Sequence, residues 1–253
     1  MDLTVSIVTV TYNEADVLPF ALDSVKHQTY GNIEHIVVNG NSSDHTEAVV
    51  AKYPNITLLN REPRGVYDAL NFGLSHCTGD IVGFVHGNDA IASDNVIALV
   101  VKEFAADPEL DFVYGDMQYI APKTHRRGRI YHADRFVPSQ LLGGMAPPHP
   151  TLYIRRSVAQ RIGLYNTEFR NAADFEMWIR LFKDKSLKYK YIPELIAEMT
   201  TGGRSTRWRA RLFYNNIEKL RALRLNNLPA NPIRLAMKYV YVVRDAFSDI
   251  FNG

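Results

Sequence analysis

Four short runs rich in β-branched residues recur through the first third of the chain: Val5–Val10 (VSIVTV), Glu34–Val38 (EHIVV), Ile56–Leu59 (ITLL) and Ile81–Val85 (IVGFV). They are almost continuously apolar, the pattern of strands buried on both faces. The segments between them, Val17–Val25, Thr46–Tyr53 and Tyr67–Ser75, carry helical spacing. Strand and helix alternating at this interval predict right-handed βαβ units. The fold class expected is therefore α/β, a mostly parallel central sheet with helices on both faces.

Beyond residue 110 the pattern changes. Asp111–Tyr119 and Thr151–Arg155 read as strands, separated by a long connection containing Gly143, Gly144, Pro147, Pro148 and Pro150. A connection of that length in a compact domain reads as a functional loop or lid. A helix follows, with Phe175, Trp178, Ile179 and Phe182 on one face. Lys188–Ile192 and Leu195–Met199 read as two short strands, Gly202 and Gly203 as a break, and Ser205–Leu225 and Ile233–Phe251 as helices divided by Pro229 and Pro232. A chain of 253 residues supports one sizeable core. The division expected is a domain over 1–204, with halves at 1–110 and 111–204, and a helical tail over 205–253.

Cys77 is the single cysteine, which excludes a disulfide-stapled scaffold and fits a reducing compartment. The opening MDLTVSIVTVTY lacks a basic region before its apolar run and reads as a first strand rather than a secretory leader. No uninterrupted apolar stretch reaches the roughly 18 residues of a membrane span. Charge is unevenly placed. From Arg204 onward ten basic residues face three acidic ones, whereas the preceding part holds 19 basic against 24 acidic. Such a tail seeks an anionic partner. Trp208, Phe213, Tyr239, Tyr241, Phe247 and Phe251 with Arg207, Arg209, Arg211, Arg221, Arg224 and Lys238 suit an in-plane contact with an anionic membrane surface. The plainer reading is a basic helix packed on the domain. Cytoplasmic placement at the inner face of the cell membrane is the expectation, with no nucleic acid as partner.

In a parallel sheet, ligands gather beyond the carboxyl ends of the strands. Four stretches stand there: Thr11, Tyr12, Asn13 and Glu14; Asn39 to Asp44; Glu62 to Gly65; and His86, Gly87, Asn88 and Asp89. With NAADFEMWIRL at residues 171–181, these segments resemble in order the motifs of the family 2 glycosyltransferases with the GT-A fold. EPRGVYDALNFGL is similar to the form found in members that build bacterial surface polysaccharides. The resemblance implies an inverting transferase that passes a sugar from a nucleotide-diphosphate donor, UDP-linked, to a hydroxyl of a glycan or lipid-linked glycan acceptor.

The same resemblance assigns residues. Asp89 is the implied ligand of a divalent cation, Mg²⁺ or Mn²⁺, which would neutralise the departing diphosphate. Asp174 is the implied general base, deprotonating the attacking hydroxyl. Thr11, Tyr12, Glu14, Asn39, Arg64, Asp68, Asn88 and His149 are the implied nucleotide-sugar contacts. Three positions depart from the family pattern: Asn39 and Asn88 stand where relatives have acids, as does Ala173 beside Asp174. The amide oxygen of Asn39 can still accept a base N–H, and Asn88 can bond a ribose hydroxyl.

Other readings stand beside this one. Asp174 can answer Asn171 in a variant capping box, Asp89 can cap the helix after it, and His149 among its prolines can be an incidental surface residue. The three departures suit a nucleotide-sugar or glycan-binding protein of the same fold without turnover. A nicotinamide dehydrogenase is disfavoured because TYNEAD stands where its glycine fingerprint belongs.

Overall fold

The computed structural model describes residues 3–122, 124–201 and 208–237, with the backbone alone given for 208–213. Nine strands form one mixed sheet in the order β3-β2-β1-β4-β8-β6-β9-β5, with β7 paired to β6. Strands β1 (Val5–Thr11), β2 (Ile33–Asn39), β3 (Ile56–Asn60) and β4 (Ile81–His86) are parallel neighbours. The chain adopts the α/β architecture expected. All seven residues of β1 are buried, as its β-branched run requires.

Alternation along β1 sorts the core into two layers. Ile7 faces α1 (Leu18–Lys26) and α4 (Val96–Ala106), packing with Leu22, Val25, Ile97 and Phe104. Val8 and Val10 face the other way, toward α3 (Val66–His76), α6 (Ala173–Lys183) and α7 (Trp208–Leu225). Between α1 and α3 lies the short α2 (Thr46–Val50), ending three residues earlier than its apolar pattern suggests.

In the second half, β6 (Phe112–Ile120) pairs antiparallel with β8 (Tyr153–Arg155) and parallel with β9 (Tyr189–Thr200). The two short strands read at 188–199 are thus one. Pro193 lacks an amide to donate, and the ladder slips there: Gly115 pairs Ile192 while Asp116 pairs Leu195. The connection between β6 and β8 holds the edge strand β7 (Arg127–Tyr131) and 3-10 turns at Pro138–Gly143 and His149–Thr151. Two further elements gave no clear sequence signal: β5 (Ala90–Ile91), which pairs β9, and α5 (Arg156–Ile162).

The described part of the tail belongs to the core. Ala222, Leu223 and Leu235 are buried in the same cluster as Trp178 and Phe182. Residues 202–207 and 238–253 lie outside the described residues, and with them Gly202, Gly203, Arg207, Lys238, Tyr239, Tyr241, Phe247 and Phe251. The side chains of Trp208, Arg209, Arg211 and Phe213 do so too. Among the described residues no helix is long and apolar enough to cross a membrane.

Gly73 lets α3 lie directly on the sheet: a Cβ there would meet Val8 Cγ1 at 2.4 Å. Val8 is β-branched in a fully packed strand and has little room to yield. Gly73→Ala is expected to lower stability by about 1–3 kcal/mol despite the better helix former, because overpacking outweighs propensity. Urea denaturation of the purified variant checks this, and an unchanged midpoint would refute it.

Candidate active site

Because β1 to β4 are parallel, the four sequence-picked loops emerge along one edge of the sheet. Side-chain bonds fix the first two to each other. Asn13, at φ +54°, accepts the Ser43 amide through Oδ1 at 2.8 Å and donates its own amide to Ser42 Oγ at 2.9 Å. Asp44 accepts the Ala15 amide at 3.0 Å. Tyr12 stays 46% exposed, its ring lying over Gly40, where a Cβ would come within 3.0 Å of Cδ2.

Asn39 departs from its expected role. It is fully buried, its Oδ1 accepting from the Ser42 amide at 3.1 Å and the Ser42 hydroxyl at 2.6 Å. Its Nδ2 donates to Asn60 Oδ1 at 3.0 Å. Both lone pairs of the amide oxygen are taken, so Asn39 builds the loop from beneath and does not offer that oxygen to a base.

Asp68 is likewise engaged. Arg61 donates to its two oxygens at 3.0 and 3.2 Å and lies 4.6 Å from the Phe72 ring centroid. That guanidinium holds the Asp68 carboxyl below its ordinary range. Beside the pair opens a cavity of about 270 Å³ lined by Asn41, Asn60, Arg61, Glu62, Arg64 and Phe72, with Arg64 exposed.

The β4 exit carries Asp89 three residues beyond His86, whose ring feels the charge of Asp174. His86 ends the strand, and its carbonyl accepts the Asp89 amide at 3.0 Å. Gly87 between them packs on the first loop so closely that a Cβ would fall 2.4 Å from Glu14 Oε2. The Thr11 hydroxyl donates to that same oxygen at 3.1 Å. Asp89 does not cap α4, which starts after Asn95. Its Oδ1 instead accepts the Thr200 amide at 2.9 Å, while the Thr200 hydroxyl donates to the Asn88 carbonyl. Burial first, and the nearby Glu14 carboxylate second, push the Asp89 carboxyl up to about 7, with the Thr200 amide opposing them. A carboxylate so placed needs positive charge. Oxygen donors suit a hard cation, and among the described residues no three acids, histidines or cysteines converge to cage one. The residues therefore fit a cation held from one side by Asp89 and completed by ligand oxygens.

Asp174 sits in the first turn of α6, half-buried. The capping-box alternative is not realised: Ala172 is the N-cap and makes no side-chain cap bond. Asp174 Oδ1 accepts the Phe175 amide at 2.8 Å and the Tyr67 hydroxyl at 3.2 Å. Burial raises its carboxyl, while Lys219, the Phe175 amide, the Tyr67 hydroxyl and His86 each act to lower it. His86 thus feels the charge of Asp174 and carries the turn that presents Asp89. The two amides just before α6, of Arg170 and Asn171, are taken by Glu218 of α7 at 3.0 and 2.8 Å.

His149 is not a surface residue. It is buried against Phe84, and Nε2 shares a 2.6 Å hydrogen bond with the Tyr165 hydroxyl. Burial depresses it to about 4, so it stays neutral near pH 7 and offers no cation to a phosphate. Tyr165 in turn stacks on Tyr67 with ring centroids 5.8 Å apart. Sequence reading missed Tyr67, Tyr165, Thr200 and Lys219. Only Tyr67 had a signal, lying inside a quoted motif.

With this geometry in hand, the comparisons with known proteins are decisive. The model for Glycosyl transferase family 2 matches residues 6–190. The chain belongs to that family. It is a nucleotide-sugar-dependent glycosyltransferase, 32% identical over 203 residues to a PGL/p-HBAD biosynthesis glycosyltransferase of Mycobacterium bovis (strain BCG / Pasteur 1173P2), covering 78% of this chain and 77% of that one. An uncharacterized glycosyltransferase of Rickettsia prowazekii (strain Madrid E) is 28% identical over 194 residues, covering 74% of this chain and 61% of the relative.

Solved structures share the GT-A fold at lower identity. S. aureus TarS 1-349 superposes with a TM-score of 0.71 at 17% identity, covering 90% of this chain and 66% of TarS. The Pyrobaculum calidifontis mannosyltransferase PcManGT, solved with GDP-Man and Mn²⁺, gives 0.67 at 23% identity, covering 91% of this chain and 66% of that one. The chain thus spans about two thirds of either solved structure.

The buried His149–Tyr165 pair invites a double-mutant cycle. Tyr165→Phe strands a buried imidazole nitrogen and is expected to cost about 1–3 kcal/mol, whereas adding His149→Phe removes the orphan and recovers part of the loss. Equal and additive losses in denaturant melts would contradict the pairing.

Proposed function

We propose that this glycosyltransferase inverts the anomeric centre in one displacement, from a UDP-linked donor to a hydroxyl of a glycan or lipid-linked acceptor. The observation that carries the reading is the β4 exit, where His86 links the Asp89 turn to the surroundings of Asp174. The attacking hydroxyl gives its proton to Asp174 as its oxygen bonds the anomeric carbon and the bond to the diphosphate oxygen breaks. Asp89 would hold Mg²⁺ or Mn²⁺, which supplies positive charge for the leaving diphosphate. PcManGT, solved with Mn²⁺, supports that choice of ion.

Tyr12 offers an exposed ring for the base, and the cavity beside Arg61 lies at the same edge. Thr11 and Glu14 border the turn that holds Asn88, whose side chain is partly exposed. Arg64, exposed at the rim of the cavity, supplies positive charge toward the diphosphate. Asp68 contributes through Arg61 rather than by touching the donor. TarS, solved with UDP-GlcNAc, supports a UDP-linked donor.

Two variants test the mechanism. Asp174→Asn is expected to lower transfer about 10²- to 10⁴-fold, the usual contribution of a positioned base. The sign of the pH effect follows from burial. The base works only unprotonated, and its carboxyl is raised, so activity falls on the acid side at a higher pH than an exposed aspartate would give. In thermal-shift measurements with UDP-GlcNAc and GDP-mannose, Mn²⁺ should enlarge the donor-induced rise in Tm for the native chain and not for Asp89→Ala. Transfer that survives both substitutions would overturn the mechanism. Donor binding without any product across a donor and acceptor panel would favour the binding-protein reading, which the absence of acids at positions 88 and 173 keeps open.

A contact with an anionic membrane is proposed for the outer side of α7. Tyr214, Ile217 and Leu225 are exposed there, at 65%, 53% and 56%, with Arg224 among them and Arg221 paired with Glu168 beside them. Spacings of three, four and eight place these residues on one face. Sedimentation with phosphatidylglycerol vesicles should pull the protein down, and Ile217→Asp should weaken this. Equal recovery with neutral vesicles would count against the proposal.

A further inference from the structure

The family match stops at residue 190, yet a side chain well past that point reaches the surroundings of the general base. Lys219 projects from α7 with Nζ donating to the Gly144 carbonyl at 2.6 Å. The same ammonium lies 4.7 Å from the ring centroid of Phe175, the residue after Asp174. From α3, the Tyr67 hydroxyl donates to Asp174 Oδ1, its ring held by the stack on Tyr165.

We propose that Lys219 and Tyr67 are positioning residues that hold Asp174 as an ionised, oriented base, so that α7 completes the acceptor side of the site. The inference rests on Asp174 being the base. Four groups reach Asp174 from the elements around it: Tyr67 of α3, His86 at the end of β4, Tyr165 from the segment before α6, and Lys219 of α7. His86 is depressed to about 4 by burial and stays neutral over most of the working range. Tyr67 and Tyr165 are raised well above their ordinary range and stay protonated. Lys219 is therefore the cation among the four. Its charge opposes the upward push of desolvation on the Asp174 carboxyl. Tyr67 adds a hydrogen bond that favours the charged form and fixes which oxygen is turned inward.

The test is a carbon-13 NMR pH titration of the full chain with carboxyl-labelled aspartate, the Asp174 resonance being identified by its loss in Asp174→Asn. Lys219→Gln keeps a donor for the Gly144 carbonyl while removing the charge, and should shift the Asp174 midpoint upward. Lys219→Arg should restore it, and Tyr67→Phe should shift it upward by less. The acid limb of kcat/KM should move in step with each midpoint, with thermal melts showing each variant folded. A midpoint unmoved in Lys219→Gln overturns the inference even where Asp174→Asn abolishes transfer. Conversely, transfer that persists in Asp174→Asn removes the base assignment itself, whatever the titration shows.

Discussion

The site is governed by the shared direction of four neighbouring strands, three of them largely buried and β3 at the sheet edge. Once β1 to β4 run parallel, their exits must share an edge, and the loops there have no neighbouring strand end to pair with. The chain meets this by joining loop to loop through side chains: Asn13 with Ser42 and Ser43, Asp44 with Ala15, Asn39 with Asn60. A rigid rim results, whose polar capacity is largely satisfied before any ligand arrives. What is left open is selective, consisting of an aromatic ring at Tyr12, cationic and amide groups around the Arg61 cavity, and the turn from His86 to Asp89.

Two acids at that edge sit in different electrical surroundings. Asp89 accepts the Thr200 amide and has a carboxylate neighbour, and its charge is costly until a cation arrives. Asp174 is raised by burial too, but two hydrogen-bond donors and the Lys219 charge oppose that push from within the protein. Burial raises both carboxyls, and the groups that oppose it differ, which lets one chain assign two like groups different tasks.

Much of this was legible in the residues alone. Continuous β-branched runs gave the strands, and parallel pairing then dictated which loops meet, so Tyr12, Glu14 and Asp89 were picked by position, while Asp174 and the roles of all four came from the family resemblance. The misses share a cause: local sequence does not reveal which way a polar side chain turns. Asn39 reads as a donor contact until its partners appear from β3 and α2. His149, flanked by prolines, reads as loop surface although a 3-10 turn sinks it beneath Tyr165. Lys219 reads as one more charge of a basic tail, because its reach toward α6 depends on how α7 docks. Residues 188–199 read as two strands because the slip of the β6–β9 ladder at Pro193 shows only once the neighbouring strand is in place.

Glu218 has a different implication. Its two oxygens receive the amides of Arg170 and Asn171 immediately ahead of the turn that carries Asp174. A fragment trimmed to the family-matched stretch would therefore leave both amides bare and the start of α6 without its external clamp. Recombinant pieces designed on motif boundaries would keep every signature and still lose the brace beside the turn that carries Asp174.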